Sequence, residues 1–218
     1  MPVPDSPSPD KPLTGFVSRL TAMTHDDDAH EIYESWAPGY EQDMLNGFGY
    51  NAHTASADAL ASACSERSSS VIDMGCGTGL VGQALAGHGF TVIDGADASP
   101  QMLRQAHAKG VYRELRTVDL TAPGALPAAT YDAAIAVGVF GGGHIGPEHL
   151  QSFALPVRPG GVIVLFANGI PFVEDDYRTH LLALESAGLW HLEDIRSINY
   201  MERIERPGWL VVARRGEH

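Results

Sequence analysis

Ser70-Val71-Ile72-Asp73-Met74-Gly75-Cys76-Gly77-Thr78-Gly79 is the stretch on which the reading of this chain turns. Ser70 to Met74 is a short apolar run with two β-branched residues, closed by glycines, and reads as a buried strand. Leu80 to Gly87 then reads as a helix. The three alternating glycines between them supply positive-φ freedom and let a ligand approach the backbone with no Cβ in the way. A dinucleotide-binding loop is spaced G-x-G-x-x-G and puts a pyrophosphate on the helix N-terminus. Here the spacing is D-x-G-x-G-x-G, with the Asp73 carboxylate closing the strand. That charge repels a pyrophosphate and suits a ligand that carries a cationic amino group and a sulfonium.

Outward from the loop, the period alternates between strand and helix. Phe90 to Asp97 reads as a second strand, and Ser99-Pro100 opens a helix in the preferred cap and first-turn positions. Tyr112 to Val118 is the third strand. Tyr131 to Phe140 is the fourth, so uniformly apolar that both faces must be covered. A helix near Pro147 to Leu155 leads through Arg158-Pro159-Gly160-Gly161 to a strand at Val162 to Ala167. A helix follows at Asp175 to Gly188, and strands at Ile195 to Met201 and Trp209 to Arg214 close the chain around a turn at Arg206-Pro207-Gly208. This order predicts an α/β, Rossmann-like, doubly wound sheet of seven strands, mostly parallel with an antiparallel edge hairpin and helices on both faces. Upstream, residues 1–28 are rich in Pro, Ser and Asp and read as a flexible arm. Residues 29–66 read as helical, with a second helix at Ala52 to Cys64, and the single domain spans 29–218.

Composition narrows the function. With 27 acidic against 14 basic residues, the net charge of −13 repels a nucleic-acid polyanion on average, so no nucleic-acid partner is expected. The two cysteines cannot build a disulfide framework, which favours a reducing, cytoplasmic setting. No apolar run reaches the ~18 residues of a membrane helix and no signal peptide is visible, so no membrane partner is expected either.

Asp97 at the end of the second strand is placed to accept from a ribose diol, as in other Rossmann-type sites. Asp119, in Val118-Asp119-Leu120, is placed to accept from an adenine amine, with Leu120 and Met102 as sandwiching side chains. Acids at three strand ends, with Asp73-x-Gly75-Cys76-Gly77-Thr78-Gly79 and Gly95-x-Asp97-x-Ser99-x-x-Met102, resemble the class I S-adenosylmethionine-dependent methyltransferase superfamily over about Tyr33 to Arg214. The resemblance implies a cofactor, S-adenosyl-L-methionine, released as S-adenosyl-L-homocysteine. Its methionine end would lie on Gly75 and Gly77, its ribose on Asp97 and its adenine on Asp119. The candidate cofactor-binding set is Asp73, Gly75, Cys76, Gly77, Gly79, Asp97, Ala98, Met102, Asp119, Leu120 and Val137. The stretches Tyr33 to Tyr40 and Val137 to His144 are similar, more narrowly, to the Williams–Beuren-region methyltransferase-like subgroup.

The implied function is SN2 methyl transfer to a small-molecule acceptor by a monomer or homodimer. Because the sulfonium is already activated, positioning supplies most of the help, roughly 7–11 kcal/mol. Candidate catalytic residues are His144 and Tyr40, and candidate substrate-binding residues are Phe140 and Asn168. Each has a plainer alternative. Tyr33, Trp36 and Tyr40 at helical spacing read first as core packing, with a lid over the cofactor as the functional alternative. His144 reads first as a glycine-flanked surface histidine, with a general base as the alternative. Asp119 is also able simply to cap a turn, and the Cys76 thiol reads as small packing. His144 and His149 lack a third ligand, so no metal is expected. A non-catalytic cofactor-binding protein is the competing function. A nicotinamide oxidoreductase is disfavoured by the glycine spacing, and methylation of protein or nucleic acid is a lesser variant.

Overall fold

The computed structural model describes residues 39–141 and 145–217. Seven strands form one sheet in the order β3-β2-β1-β4-β5-β7-β6. They are β1 (Ser70–Met74), β2 (Val92–Asp97), β3 (Glu114–Thr117), β4 (Tyr131–Phe140), β5 (Val157–Asn168), β6 (Trp190–Met201) and β7 (Arg206–Arg215). The first five run parallel, while β7 is antiparallel to both β5 and β6. The chain winds outward from β1 through β2 to β3 and then crosses back to β4. This reversal opens a crevice at the carboxyl ends of β1 and β4, where ligands of such sheets bind.

Side-chain alternation divides the core between the two faces. Val71, Ala133, Ile135, Val164 and Phe166 point to one face, under α1 (Ala52–Ala63) and α2 (Leu80–Gly87). Ile72, Met74, Ala134, Ala136, Ile163 and Leu165 point to the other, under α4 (Leu150–Ala154) and α6 (Tyr177–Ser186). Fully covered strands have no polar face, which is why β4 reads as an unbroken apolar run. Between β2 and β3, helix α3 (Pro100–Ala108) buries Met102, Leu103 and Ala106. Its N-cap Ser99 accepts from the Met102 N–H at 3.1 Å, and Pro100 takes the first turn, as the sequence predicts.

The sequence reading departs from the structure where pairing overrides local punctuation. Strand β5 begins at Val157, five residues earlier than expected, and Arg158 to Gly161 bulge out between the Tyr131–Val157 and Ala133–Val162 pairs. Strand β6 begins at Trp190. The turn expected at Arg206-Pro207-Gly208 lies instead at Glu202–Glu205, and Pro207 and Gly208 pair within β7 with Asn199 and Asn168. Gly208 suits that position because any Cβ there would stand 2.2 Å from the Phe166 ring. A short helix, α5 (Gly169–Glu174), also lies where the sequence shows no periodic signal.

Of the expected N-terminal arm and helical lid, residues 1–38 lie outside the described residues. From Gly39 onward the chain makes a π-helical turn at Gln42–Gly47 and meets β6 through a Tyr50–Met201 bridge before α1. Among the described residues no helix is long and apolar enough to cross a membrane.

Candidate active site

The glycine loop is hooked onto the end of β2. The N–H groups of Gly75 and Cys76 both donate to the Ala96 carbonyl, at 2.7 and 3.0 Å. Gly75, Gly77 and Gly79 have φ of +75°, +52° and +91°, values that L side chains avoid. Gly75 has no room for anything more, since a Cβ would lie 1.9 Å from Val139 Cγ1. Gly77 is the opposite case: among the described residues, its two chain neighbours aside, no atom lies within 4 Å of where its Cβ would be. The loop is therefore crowded from beneath at Gly75 and open at Gly77.

Asp97 stands at the end of β2 and organises this loop. One carboxylate oxygen accepts from the Gly77 N–H and the other from the Ser99 N–H, each at 2.8 Å. Asp73, at the end of β1, is completely buried. Its Oδ2 accepts from the Tyr112 hydroxyl at 2.6 Å, while its Oδ1 is buried with no hydrogen-bond partner among the described residues. Burial pushes its carboxyl up to about 7; the Tyr112 hydrogen bond pulls it down, and the Asp97 charge raises it.

The remaining cofactor candidates divide. Asp119 is exposed and accepts from the Thr121 N–H and hydroxyl at 2.9 and 2.6 Å, which holds its carboxyl below the ordinary range. It caps its own turn, whatever else it meets. Leu120 is buried and lines a small cavity of about 30 Å³ with Met74, Leu126 and Phe153. Met102 and Val137 are also buried, whereas Ala98 is exposed. Burial raises the Cys76 thiol well above its ordinary range, consistent with packing and not with nucleophilic attack.

Of the catalytic and substrate candidates, Tyr40 packs half-buried against the core on the α1 face. Burial raises its hydroxyl pKa, and Tyr200 and the Asp97 and Glu41 charges raise it further. His144, and with it Tyr33 and Trp36, lie outside the described residues. Asn168 ends β5 half-buried, its Nδ2 3.1 Å from where a Gly141 Cβ would stand. Phe140 lies in the core: its ring is fully buried on the opposite face, against Phe153 at 4.7 Å and Tyr177 at 6.0 Å. Strand alternation puts it there, since Phe140 has the parity of Ala134 and Ala136 on that face; the register shift between Val137 and Phe140, at Gly138 with its φ of +76°, spans two extra residues and keeps that parity.

Sequence reasoning misses an aromatic group assembled from distant elements. Tyr50 stacks on His53 with centroids 5.4 Å apart and meets Tyr200 edge-on at 6.0 Å. The Tyr50 hydroxyl is 3.7 Å from where a Gly138 Cβ would lie, so the group covers the end of β4. Alongside it, Glu41 and Lys109 pair at 2.9 Å. Desolvation by burial lowers the His53 pKa, and Lys109 adds to this while Glu41 opposes it. Tyr112 was read only as the start of a strand. No local pattern marks either feature, because both depend on residues far apart in sequence.

Residues 48–204 match the family described as a methyltransferase domain. The chain belongs to this family. It is 34% identical over 166 residues to human methyltransferase-like protein 27, covering 73% of this chain and 66% of that protein, a little under two thirds of its length. Among solved structures, a methyltransferase determined in complex with the Haloferax volcanii Trm112 methyltransferase activator superposes with a TM-score of 0.66. It is 21% identical, and the match covers 88% of this chain and 99% of that one. Magnesium protoporphyrin IX methyltransferase from Synechocystis, solved with bound S-adenosylmethionine, matches at a TM-score of 0.58 and 18% identity, over 76% and 80% of the two chains. These structural likenesses show the fold, and the family match makes the chain a member of the class I S-adenosylmethionine-dependent methyltransferase superfamily.

Proposed function

We propose that this methyltransferase binds S-adenosylmethionine across the ends of β1 and β2 and transfers its methyl group to a small-molecule acceptor. The observation that carries the cofactor reading is the buried Asp73 Oδ1, an acceptor with no partner among the described residues, beneath a glycine loop that is open at Gly77. A buried carboxylate oxygen left unpaired costs stability unless a ligand satisfies it. An ammonium group supplies both the donor and the compensating charge.

The residues fit the rest of the molecule in order. Asp73 and the backbone of Gly75 and Gly77 would hold the methionine end, and Asp97 the ribose hydroxyls. Asp119, Leu120 and Met102 would hold the adenine, with Ala98, Gly79 and Val137 along the same edge. When bound, the cofactor supplies a methyl group already activated by a sulfonium. The protein's task is to bind, orient and exclude water. Tyr40, which feels the Asp97 charge, would cover the loop, and Tyr50, Tyr200 and Asn168 would wall the space over β4 and β5 where an acceptor is held. His144 follows β4 directly and is the proposed proton acceptor for a nucleophile that must lose one.

A small-molecule acceptor is supported by the chain's acidity, which opposes a polyanion, and by one compact sheet with its site under a short aromatic roof. The same reading places the protein in the cytoplasm as a monomer or homodimer. The narrower subgroup resemblance rests on Tyr33–Tyr40 and Val137–His144, only partly within the described residues. Calorimetry with S-adenosylmethionine and S-adenosylhomocysteine tests the cofactor reading, with micromolar binding of either as the expected result. A folded protein that binds neither would refute it. Screening of small acceptors for homocysteine-product formation then tests the acceptor class.

A further inference from the structure

Tyr112 precedes β3 and contributes its side chain to the neighbouring layer. Its ring occupies a slot made by three glycines from separate elements. A Cβ at Gly79 would come within 3.0 Å of the ring, one at Gly82 within 2.3 Å, and one at Gly95 within 3.1 Å. The slot fixes where the hydroxyl points. That hydroxyl donates to Asp73 Oδ2 at 2.6 Å and accepts from the Gly82 N–H at 3.1 Å, so it is held from both sides.

We propose that Tyr112 is a positioning residue of the cofactor site: it clamps the Asp73 carboxyl by one oxygen and presents the other to a cationic ligand, so that cofactor binding releases a proton from Asp73. This rests on the cofactor reading above and adds its regulation by pH. The groups acting on Asp73 are the Tyr112 hydroxyl, the Gly82 N–H from α2 and the Asp97 carboxylate from β2; Cys76 faces it from the loop, with its thiol kept protonated by burial. Among the described residues no cation acts on it. The positive charge that an ionised Asp73 calls for is therefore the ligand's. Without ligand, burial holds the carboxyl at about 7, and part of the population carries the proton at neutral pH. The ammonium of the ligand takes the proton's place, one positive charge for another, and the proton leaves to solvent.

The test is calorimetry of the full chain with S-adenosylmethionine, in two buffers of different ionisation enthalpy, from about pH 6 to about pH 9. The wild type is expected to release approaching one proton more than Asp73→Asn at the acid end, and the two proteins to exchange the same number at the alkaline end. Comparing the two cancels any proton taken up by the ligand's own amino group, whose ordinary value of about 8 lies inside this range. Tyr112→Phe keeps the ring in its slot and removes only the clamp. Affinity at about pH 7 should fall roughly tenfold to a hundredfold, the size of one hydrogen bond to a charged group. The release should also persist to higher pH. A packing role alone would lower the melting temperature and leave the proton count unchanged, and that outcome overturns the proposal. Wild-type binding with no Asp73-dependent release overturns it as well, even where Tyr112→Phe does not fold. If the wild type binds neither cofactor nor product, the cofactor reading itself falls, and the two failures are thereby distinguished.

Discussion

A buried acid that is hard to ionise makes the protein less stable as pH rises, and Asp73 allows the size of that effect to be worked out. Its carboxyl lies at about 7 in the folded chain, against an ordinary value of 3.8 that applies when unfolded. Below about pH 4 both states hold the proton and the group contributes nothing to the difference. Through the window between the two values the unfolded state ionises first, and stability is lost. Above about pH 7 the full penalty applies, about 4 kcal/mol for a shift of this size. Between about pH 5 and about pH 8 the change amounts to roughly 2–3 kcal/mol. Asp73→Asn removes the titration while its amide oxygen still accepts from Tyr112. It introduces amide N–H donors without partners, a cost of about 1–3 kcal/mol that does not vary with pH. The measurable quantity is therefore the change in the gap between variant and wild type, not its absolute value. With about 2–4 °C of melting temperature per kcal/mol in a domain of this size, Asp73→Asn should gain about 5–10 °C on wild type between about pH 5 and about pH 8. Thermal unfolding of the ligand-free proteins at the two pH values measures it. Parallel melting temperatures would refute the reasoning, and would mean that water or a nearby cation stabilises the ionised carboxyl in solution.

Three further substitutions probe other parts of the site. Gly75→Ala puts a methyl 1.9 Å from Val139 Cγ1 at a φ of +75°, adding about 1–2 kcal/mol of backbone strain to the clash; cofactor binding should disappear from calorimetry, and near-normal affinity would show that the loop relaxes. Asp97→Asn removes the charge and one of the two N–H acceptors that hold Gly77 and Ser99, so the dissociation constant for S-adenosylhomocysteine should rise about tenfold to a hundredfold with little change in melting temperature. Phe140→Ala opens a cavity beside Phe153 and Tyr177 and should cost about 3–5 kcal/mol of stability in denaturant unfolding. A stable Phe140→Ala protein with altered acceptor preference would instead place the residue at the acceptor pocket.

The reach of the primary structure follows from how local each signal is. Strand β1, the loop and helix α2 lie within eighteen consecutive residues, so the apolar run, the alternating glycines and the closing Asp73 could be read together. Asp97 was legible for the same reason, since it ends an apolar strand just before the Ser99-Pro100 cap. The sevenfold strand count and parallel winding followed from the alternation of periods, because a parallel pair needs a crossover helix. Local punctuation misled where a neighbouring strand outweighed it. Pro207-Gly208 reads as a turn, yet Phe166 packs where a Cβ would be and β5 and β6 draw the segment into the sheet.

What the tertiary structure alone decided is which side chains meet. Tyr112 reaches Asp73 across 39 positions of sequence, through a slot that exists only once Gly79, Gly82 and Gly95 are brought together. Tyr50, His53 and Tyr200 stack because a bridge to Met201 docks the start of α1 on the end of β6. Phe140 packs on Phe153 and Tyr177, residues of two later helices that only the folded chain brings to it. A motif of consecutive residues carries its own geometry through the backbone, so it can be read before folding. A contact between distant residues has no local cause, and its energy comes into being only when packing has closed the space between them.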